Sequence, residues 1–305
     1  MELRHLRYFI AVAEELNFAR AAQRIHIEPS PLSRAIRELE DNLGAQLFER
    51  SHKGMRLTWP GKVFLEEAQR ILSSIEDARS RVLSAASGYR GHLRIGLADG
   101  LAQPRMTTLL ARCREEEPEI EIRIVELTVK QLLKHLKHDQ IDAGFTLCED
   151  TGAEYPRTPI WRDNPVIVMP VRHPLLSQSR ISLHQAMRYP LIMCHPELCS
   201  GGHATLSRWF REAKTKPAVA EYVSGHESML LLVAAGYGIG FAIESQVTLF
   251  GRTDVVARPV GDGFSYITTY IVRRNKPLSI QLERFIDRAR RIVSTEQHVN
   301  QWTTQ

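Results

Sequence analysis

The sequence predicts an α/β chain with an all-α, winged N-terminal domain. Three observations carry that expectation. Residues 18–50 hold two short amphipathic helices joined by a tight, Pro-containing turn. Residues 60–87 carry one apolar seam at heptad spacing. From residue 93 onward, strand-like runs alternate with helical ones, the pattern of a sheet flanked by helices. At 305 residues the chain is too long for one small core and suits two or three domains.

The elements follow in order. Leu6, Phe9, Ile10, Ala13 and Leu16 form a first helical stripe. Phe18, Ala21, Ala22 and Ile25 form a second, with Asn17 in place to cap it. Leu32, Ile36, Leu39 and Leu43 form a third, opened by Ser30-Pro31 and closed by Gly44. Leu47 to Arg50, a turn at His52-Lys53-Gly54, and Met55 to Thr58 read as a two-stranded wing. Thr58 can cap a long helix from about residue 60 to 87. Its apolar positions are Phe64, Ala68, Ile71, Ile75, Ala78, Val82 and Ala85, alternately three and four apart. Such a helix is either a dimer-forming linker, the favoured reading, or a helix lying on its own protein's body. Gly88-Tyr89-Arg90-Gly91 ends it. Strands are expected at 93–97, 120–127, 141–145, 166–171, 191–194, 219–223, 239–243 and 266–272, with a last helix over about 277–294. The boundaries expected are 1–58, 59–90 and 91–305. The last is split into lobes of about 91–162 with 266–305, and 163–265.

Composition limits the function classes. Hydrophobic content of 43% and charged content of 25% are ordinary for a globular protein. The net charge of +5 permits nucleic-acid binding, but the first 90 residues carry only +2 of it, so local placement must locate a site. No apolar run approaches the roughly 18–20 residues that span a bilayer, and the N-terminus lacks a signal-peptide core. The expectation is a cytoplasmic protein without membrane contact. Four cysteines give no disulfide framework.

In the head, the second of the paired helices keeps Ser30, Ser33, Arg34 and Arg37 on the face that its apolar stripe leaves free. A helix of this kind lies in the major groove while its partner braces it. Arginine reads guanine through two parallel hydrogen bonds, and serine reaches a base or a phosphate. On the wing, Arg50, Lys53 and Arg56 are expected to hold phosphates or the minor groove. Asn17 and the amides after it, at a helix start, are expected to hold a phosphate.

Taken together, Ala21-Ala22, Pro31-Leu32-Ser33-Arg34-Ala35-Ile36-Arg37-Glu38-Leu39-Glu40, Leu43-Gly44, Leu47-Phe48-Glu49-Arg50, Leu57-Thr58 and Gly61 resemble the LysR-type transcriptional regulator family. Leu93-Arg94-Ile95-Gly96, Ile141-Asp142-Ala143-Gly144-Phe145, His173-Pro174-Leu175 and the run from Val233 to Gly240 extend the resemblance over essentially the whole chain. It implies a winged helix-turn-helix, a linker helix and a two-lobed effector domain like a periplasmic binding protein. It also implies homotetramers that bind double-stranded promoter DNA and respond to a small-molecule effector. RNA polymerase is a further candidate partner. One departure stands out. Pro29, preceded by Glu28, occupies the place where the family usually has Gln, so a bidentate contact to adenine is lost there.

Ligands of two-lobed α/β proteins bind beyond the carboxyl ends of strands. With the resemblance, this assigns Asp99, Gly100, Leu101, Thr128, Phe145, Leu147, Cys194, His195, Glu227 and Ser228 to an effector cleft. Several relatives that sense aromatic-catabolism acids have Arg in place of Leu147 and Ser or Thr in place of Gly100, which argues against a dicarboxylate of that kind. Asp99 is either a recognising group for a cationic or hydroxylated ligand or a turn or cap residue. Cys194, His195, Cys199 and His203 lie within ten residues. They offer a metal-responsive or redox-responsive alternative, beside the bland reading of small loop thiols. No cofactor is expected. An enzyme on the α/β half is disfavoured, because Gly-x-Ser-x-Gly, His-Glu-x-x-His and phosphate-loop motifs are all missing. A regulator that needs no ligand, with Leu101 and Phe145 in a closed core, is the third reading.

Overall fold

The computed structural model describes residues 1–51, 54–101, 104–261 and 266–292, with side chains at all of these but 50, 51 and 248–250. The chain forms two compact units: Met1–Leu83 with His138–Gln140, and Ser84–Lys137 with Ile141 onward.

The first unit begins with α1 (Leu3–Glu15), α2 (Phe18–Arg24) and α3 (Pro29–Leu43). Asn17 Oδ1 accepts from Arg20 N at 3.1 Å and so caps α2. Pro29 sits in the first turn of α3, where its missing N–H costs nothing. Gly44 closes α3 at φ +64°, a left-handed conformation that suits glycine. Strands β1 (Phe48–Ser51) and β2 (Gly54–Leu57) pair antiparallel as the wing. Leu6, Phe9, Ala21, Ala22, Leu32, Ile36, Leu39 and Leu47 form the core of this unit. Glu40 ties α3 to the wing by accepting from Leu47 N at 2.7 Å and Phe48 N at 3.2 Å.

Helix α4 (Trp59–Ala86) follows. Thr58 Oγ1 accepts from Gly61 N at 3.0 Å, capping the helix, and donates to Gln46 O at 2.7 Å. A Cβ on Gly61 would fall 2.1 Å from Leu47 O, so only glycine lets the helix start this close to the wing. Ala68 is buried in the head core and Phe64 packs against it, whereas Ile71, Ile75 and Val82 stay 37%, 37% and 69% exposed.

The second unit contains two five-stranded sheets. The first lobe holds β3 (Gly91–Leu97), α5 (Pro104–Glu116), β4 (Ile120–Glu126), α6 (Val129–Lys137), β5 (Ala143–Thr146) and β6 (Arg157–Asp163). The chain returns to it for β12 (Ile267–Val272) and α11 (Ile280–Ile292), giving strand order β4-β3-β5-β12-β6. The second lobe holds β7 (Pro165–Pro170), α7 (Leu183–Ala186), β8 (Leu191–Cys194), α8 (Ser200–Glu212), β9 (Val219–Val223), α9 (His226–Ala234), β10 (Ile239–Ile243), α10 (Glu244–Phe250) and β11 (Val255–Pro259). Its strand order is β11-β7-β10-β8-β9. Strands β3, β4 and β5 are mutually parallel, as are β8, β9 and β10, while β7 and β12 run antiparallel to their neighbours.

Two strands were not expected from the sequence, β6 and β11, and both are sheet edges. An edge tolerates Pro159 in β6 and Arg258-Pro259 in β11, which mute the strand signal. Strand β5 starts at Ala143, not at residue 141.

Candidate functional site

Two places hold the sequence-predicted residues, one in each unit. In the first, Leu32, Ile36 and Leu39 are buried on one face of α3, and Ser30, Arg34 and Arg37 are exposed on the other with Ser33 half-buried. The spacing of these four, three and four apart, makes one stripe along the helix. Among the described residues neither Arg34 nor Arg37 has an ion-pair partner, so both guanidinium forks are available. Arg56 is already engaged, with Nε 3.0 Å from Glu49 Oε1 on the facing strand. Both side chains are well exposed, and such a pair exchanges readily for a phosphate. The backbone of Arg50 lies in β1, and Lys53 lies outside the described residues. Asn17 is exposed at the head of α2, its side chain used as the cap.

In the second place, the turn after β3 carries Asp99 and Gly100 at φ +56° and +65°. Two left-handed residues in succession turn the Asp99 side chain inward, where it is 1% exposed. Its Oδ2 accepts from Thr146 Oγ1 at 2.7 Å and from Leu147 N at 3.0 Å, both just after or within β5. Its Oδ1 accepts from Gly201 N at 2.8 Å, in the first turn of α8 on the other lobe. The residue preceding α8, Cys199, offers no side-chain cap, so Asp99 serves as that cap from across the cleft. Gly201 is required for the approach: a Cβ there would lie 2.6 Å from Asp99 Oδ2 and from Cys148 N.

Beside this contact lies a cavity of about 50 Å³. Leu147, Ile192, Met193, Trp209, Phe241 and Ile243 supply apolar wall, and Asp99, Cys194, Cys199, His203, His226 and Gln246 supply polar groups. The Nδ1 atom of His226 is buried with no hydrogen-bond partner among the described residues. Burial pushes this imidazole down to about 4, so it is neutral at pH 7. Gln246 Nε2 donates to Gly100 O at 3.1 Å, a second polar link between the lobes. Burial, with the neighbouring His195, also lowers His203.

Of the residues the sequence assigned to the cleft, Asp99, Leu147 and Cys194 line the cavity, and Gly100 adjoins it through Gln246 and His226. Phe145 and Leu101 do not line it. Phe145 is fully buried in the first lobe, its ring stacked on Trp161 with centroids 5.2 Å apart, and Leu101 is 1% exposed. Thr128 forms a reciprocal capping box with Gln131 at the start of α6. Glu227 and Ser228 are exposed on the first turn of α9, and His195 stands against Tyr222 with ring centroids 6.0 Å apart.

The Cys/His loop resolves into a thiol pair. Cys194 and Cys199 both line the cavity, and their mutual interaction lowers Cys199 and raises Cys194. Among the described residues no three His, Cys, Asp or Glu side chains converge as a metal site would need, so the metal alternative lacks its ligand set. Sequence reasoning missed Thr146, Gly201, His226 and Gln246. Only the Gly201-Gly202 pair at a helix start gave a signal, that of a close backbone approach.

Comparison with known proteins identifies the whole. A family profile described as the LysR substrate binding domain matches residues 86–293, and one described as a bacterial regulatory helix-turn-helix protein of the lysR family matches residues 3–62. The chain belongs to the LysR family of transcriptional regulators. It is similar to the regulator BenM of Acinetobacter baylyi, with 30% identity over 97% of each chain. It is also similar to the Hca operon transcriptional activator HcaR of Escherichia coli, with 28% identity over 94% of this chain and 96% of that one. Among solved structures, full-length CbnR complexed with its target DNA superposes with TM-score 0.70 and 25% identity, over 96% of this chain and all of that one. This LysR-family chain is therefore a DNA-binding transcriptional regulator with an effector-binding domain, from a family of regulators and not of enzymes. No helix among the described residues is long and apolar enough to cross a membrane.

Proposed function

We propose that this chain is a sequence-specific promoter-binding regulator, switched by a small molecule taken up between the two lobes of its second unit. The observation that carries the DNA half is the open stripe of Ser30, Ser33, Arg34 and Arg37 on α3. Its two guanidinium groups have no ion-pair partner among the described residues, and its opposite face is locked in the core. Arg34 and Arg37 read base edges, Ser30 and Ser33 reach bases or phosphates, and Arg56 with the wing and the head of α2 hold the backbone. The effector half rests on the cavity at the lobe junction, where polar groups from both lobes converge on an otherwise apolar wall. The working division is a head at 1–58, a linker helix at 59–90 and an effector domain at 91–305. The assembly is a dimer through the linker and a homotetramer overall, acting on RNA polymerase at the promoter.

The test is a fluorescence-anisotropy titration of an operator fragment selected by the full-length protein. Arg34→Ala should weaken specific binding by about 1–3 kcal/mol and relax the preference at one base pair. Arg56→Ala should weaken all sequences alike and flatten the salt dependence. Unchanged operator affinity in Arg34→Ala would remove α3 as the reading helix.

A further inference from the structure

The effector reading leaves open what chemistry the cavity takes, and Asp99 answers it. The place where a ligand carboxylate would be best received at this lobe junction is defined by three donors. They are the Gly201 amide at the positive end of a 13-residue helix, the Thr146 hydroxyl and the Leu147 amide. All three already point at Asp99. Its two oxygens accept from both lobes at once, so the lobes are drawn together by a carboxylate that belongs to the chain. The remaining cavity residues offer no counter-charge for an anion: no Lys or Arg lines it. Its imidazoles at His203 and His226 are lowered by burial, and the one at 226 is neutral. An added anion would therefore meet apolar wall and the Asp99 charge. One polar atom at the cavity's edge stays unsatisfied: Nδ1 of His226, buried against Gly100 and without a partner among the described residues. The room left, about 50 Å³, holds a few waters or a molecule with a handful of non-hydrogen atoms.

We propose that the inter-lobe cavity is a binding site for small neutral molecules, its anion position filled in advance by Asp99, which latches the N-terminus of α8 onto the opposite lobe. The proposal rests on the effector reading above and specifies its ligand class. It makes Asp99 a positioning residue: it sets how close the lobes stand, and the neutral ligand occupies the space beside it, against His226. A molecule bearing a carboxylate can enter the three-donor cradle only by expelling Asp99. Gly201 belongs to the same device, because any larger residue there meets the Asp99 carboxylate.

Thermal unfolding of the full-length protein tests this by chemical rescue. Asp99→Ala empties the cradle and should lower Tm. Addition of 100 mM sodium acetate should then raise Tm by about 2–4 °C more than sodium chloride of equal ionic strength does. The wild-type chain, whose cradle is full, should show no such excess. Asp99→Asn, which fills the same volume, should be destabilised and not rescued. If Asp99→Ala does not fold, Asp99→Ser leaves similar room and is read the same way. Equal acetate responses in wild type and the emptied variant overturn the proposal. The isosteric pair propionamide and propionate then reads the ligand class in wild type by titration calorimetry. Binding of propionamide at least tenfold tighter than propionate is expected, and equal or reversed affinities overturn it. Operator binding in the presence of each probe separates the two readings. A wild-type chain whose DNA affinity responds to a carboxylate keeps the effector function and loses this proposal. Acetate rescue with no ligand effect on DNA affinity keeps the latch and loses the effector function.

Discussion

At the scale of single residues, the cleft depends on which groups are satisfied. Asp99 has three donors for two oxygens, and His226 has a buried nitrogen with no partner among the described residues. The unsatisfied group is costly and sensitive to pH. Burial takes His226 from the ordinary imidazole value near 6.5 down to about 4. Between those values the unfolded chain binds a proton that the folded chain refuses, so stability rises with pH across this window. The contribution is fully present above the unfolded value and is lost as pH falls from about 6.5 toward 4. Wild type should lose about 2 kcal/mol between pH 7 and pH 5 that a His226→Gln variant does not lose. Urea unfolding of both proteins at the two pH values measures the difference, and parallel pH profiles would show that this imidazole is not buried as described. Asp99 itself shows how far residue-scale reading reaches. Its place after the first strand marked it for the cleft. That its carboxylate is spent on Gly201, 102 positions later, is a matter of lobe closure that no local pattern encodes.

At the scale of elements, legibility follows burial. The head helices and α4 were readable because each has one face buried, which gives a period, and the central strands β5, β7, β8 and β10 because they are buried at nearly every position and read as short continuous apolar runs. The edge strands β6 and β11 were not, because Pro159 and Arg258-Pro259 interrupt their apolar runs, whereas the other two edges, β4 and β9, keep theirs and were legible. Contacts between elements distant in sequence were equally silent. Arg288 on α11 is the clearest: Nε lies 2.6 Å from Glu116 Oε2, and a second nitrogen reaches Glu117 at the end of α5. Arg284 adds a second bond to Glu117. The Arg288 hydrogen bond, ahead of that from Arg284, holds Glu117 below the ordinary carboxylate range. Arg288 and Glu117 are each only 11% exposed, so removal of Arg288 leaves Glu117 in a poorly solvated place with Arg284 as its remaining partner. Arg288→Met should cost about 1–3 kcal/mol in denaturant unfolding at pH 7. Part of that deficit should vanish in a Glu117→Gln background, where no charge is stranded. A loss near zero would mean that α5 and α11 are held by their apolar contacts alone.

At the scale of the whole molecule, the long helix raises the remaining question. Its apolar seam was visible as a heptad pattern, but one chain uses only the first part of it. Ala68 is buried and Phe64 packs against the head core, while Ile71, Ile75 and Val82 continue the same stripe into solvent. Two burial requirements were written into one period, and the sequence alone did not say which partner meets the second. In the dimer proposed above, a second copy of the helix meets it with an identical stripe, the self-complementary contact of a twofold dimer. Helix-turn-helix dimers place their reading helices on half-sites about one duplex turn apart, so the same proposal makes the seam and the Arg34 stripe parts of one device. Charge on the seam should separate them. Ile75→Glu combined with Val82→Glu, both at exposed positions, should leave the fold of each unit intact by circular dichroism and reduce the mass measured by light scattering. It should also roughly halve the slope of operator affinity against salt, because one head contacts half the phosphates. An unchanged mass with an unchanged slope would place the dimer contact elsewhere and leave the seam as a surface of the single chain.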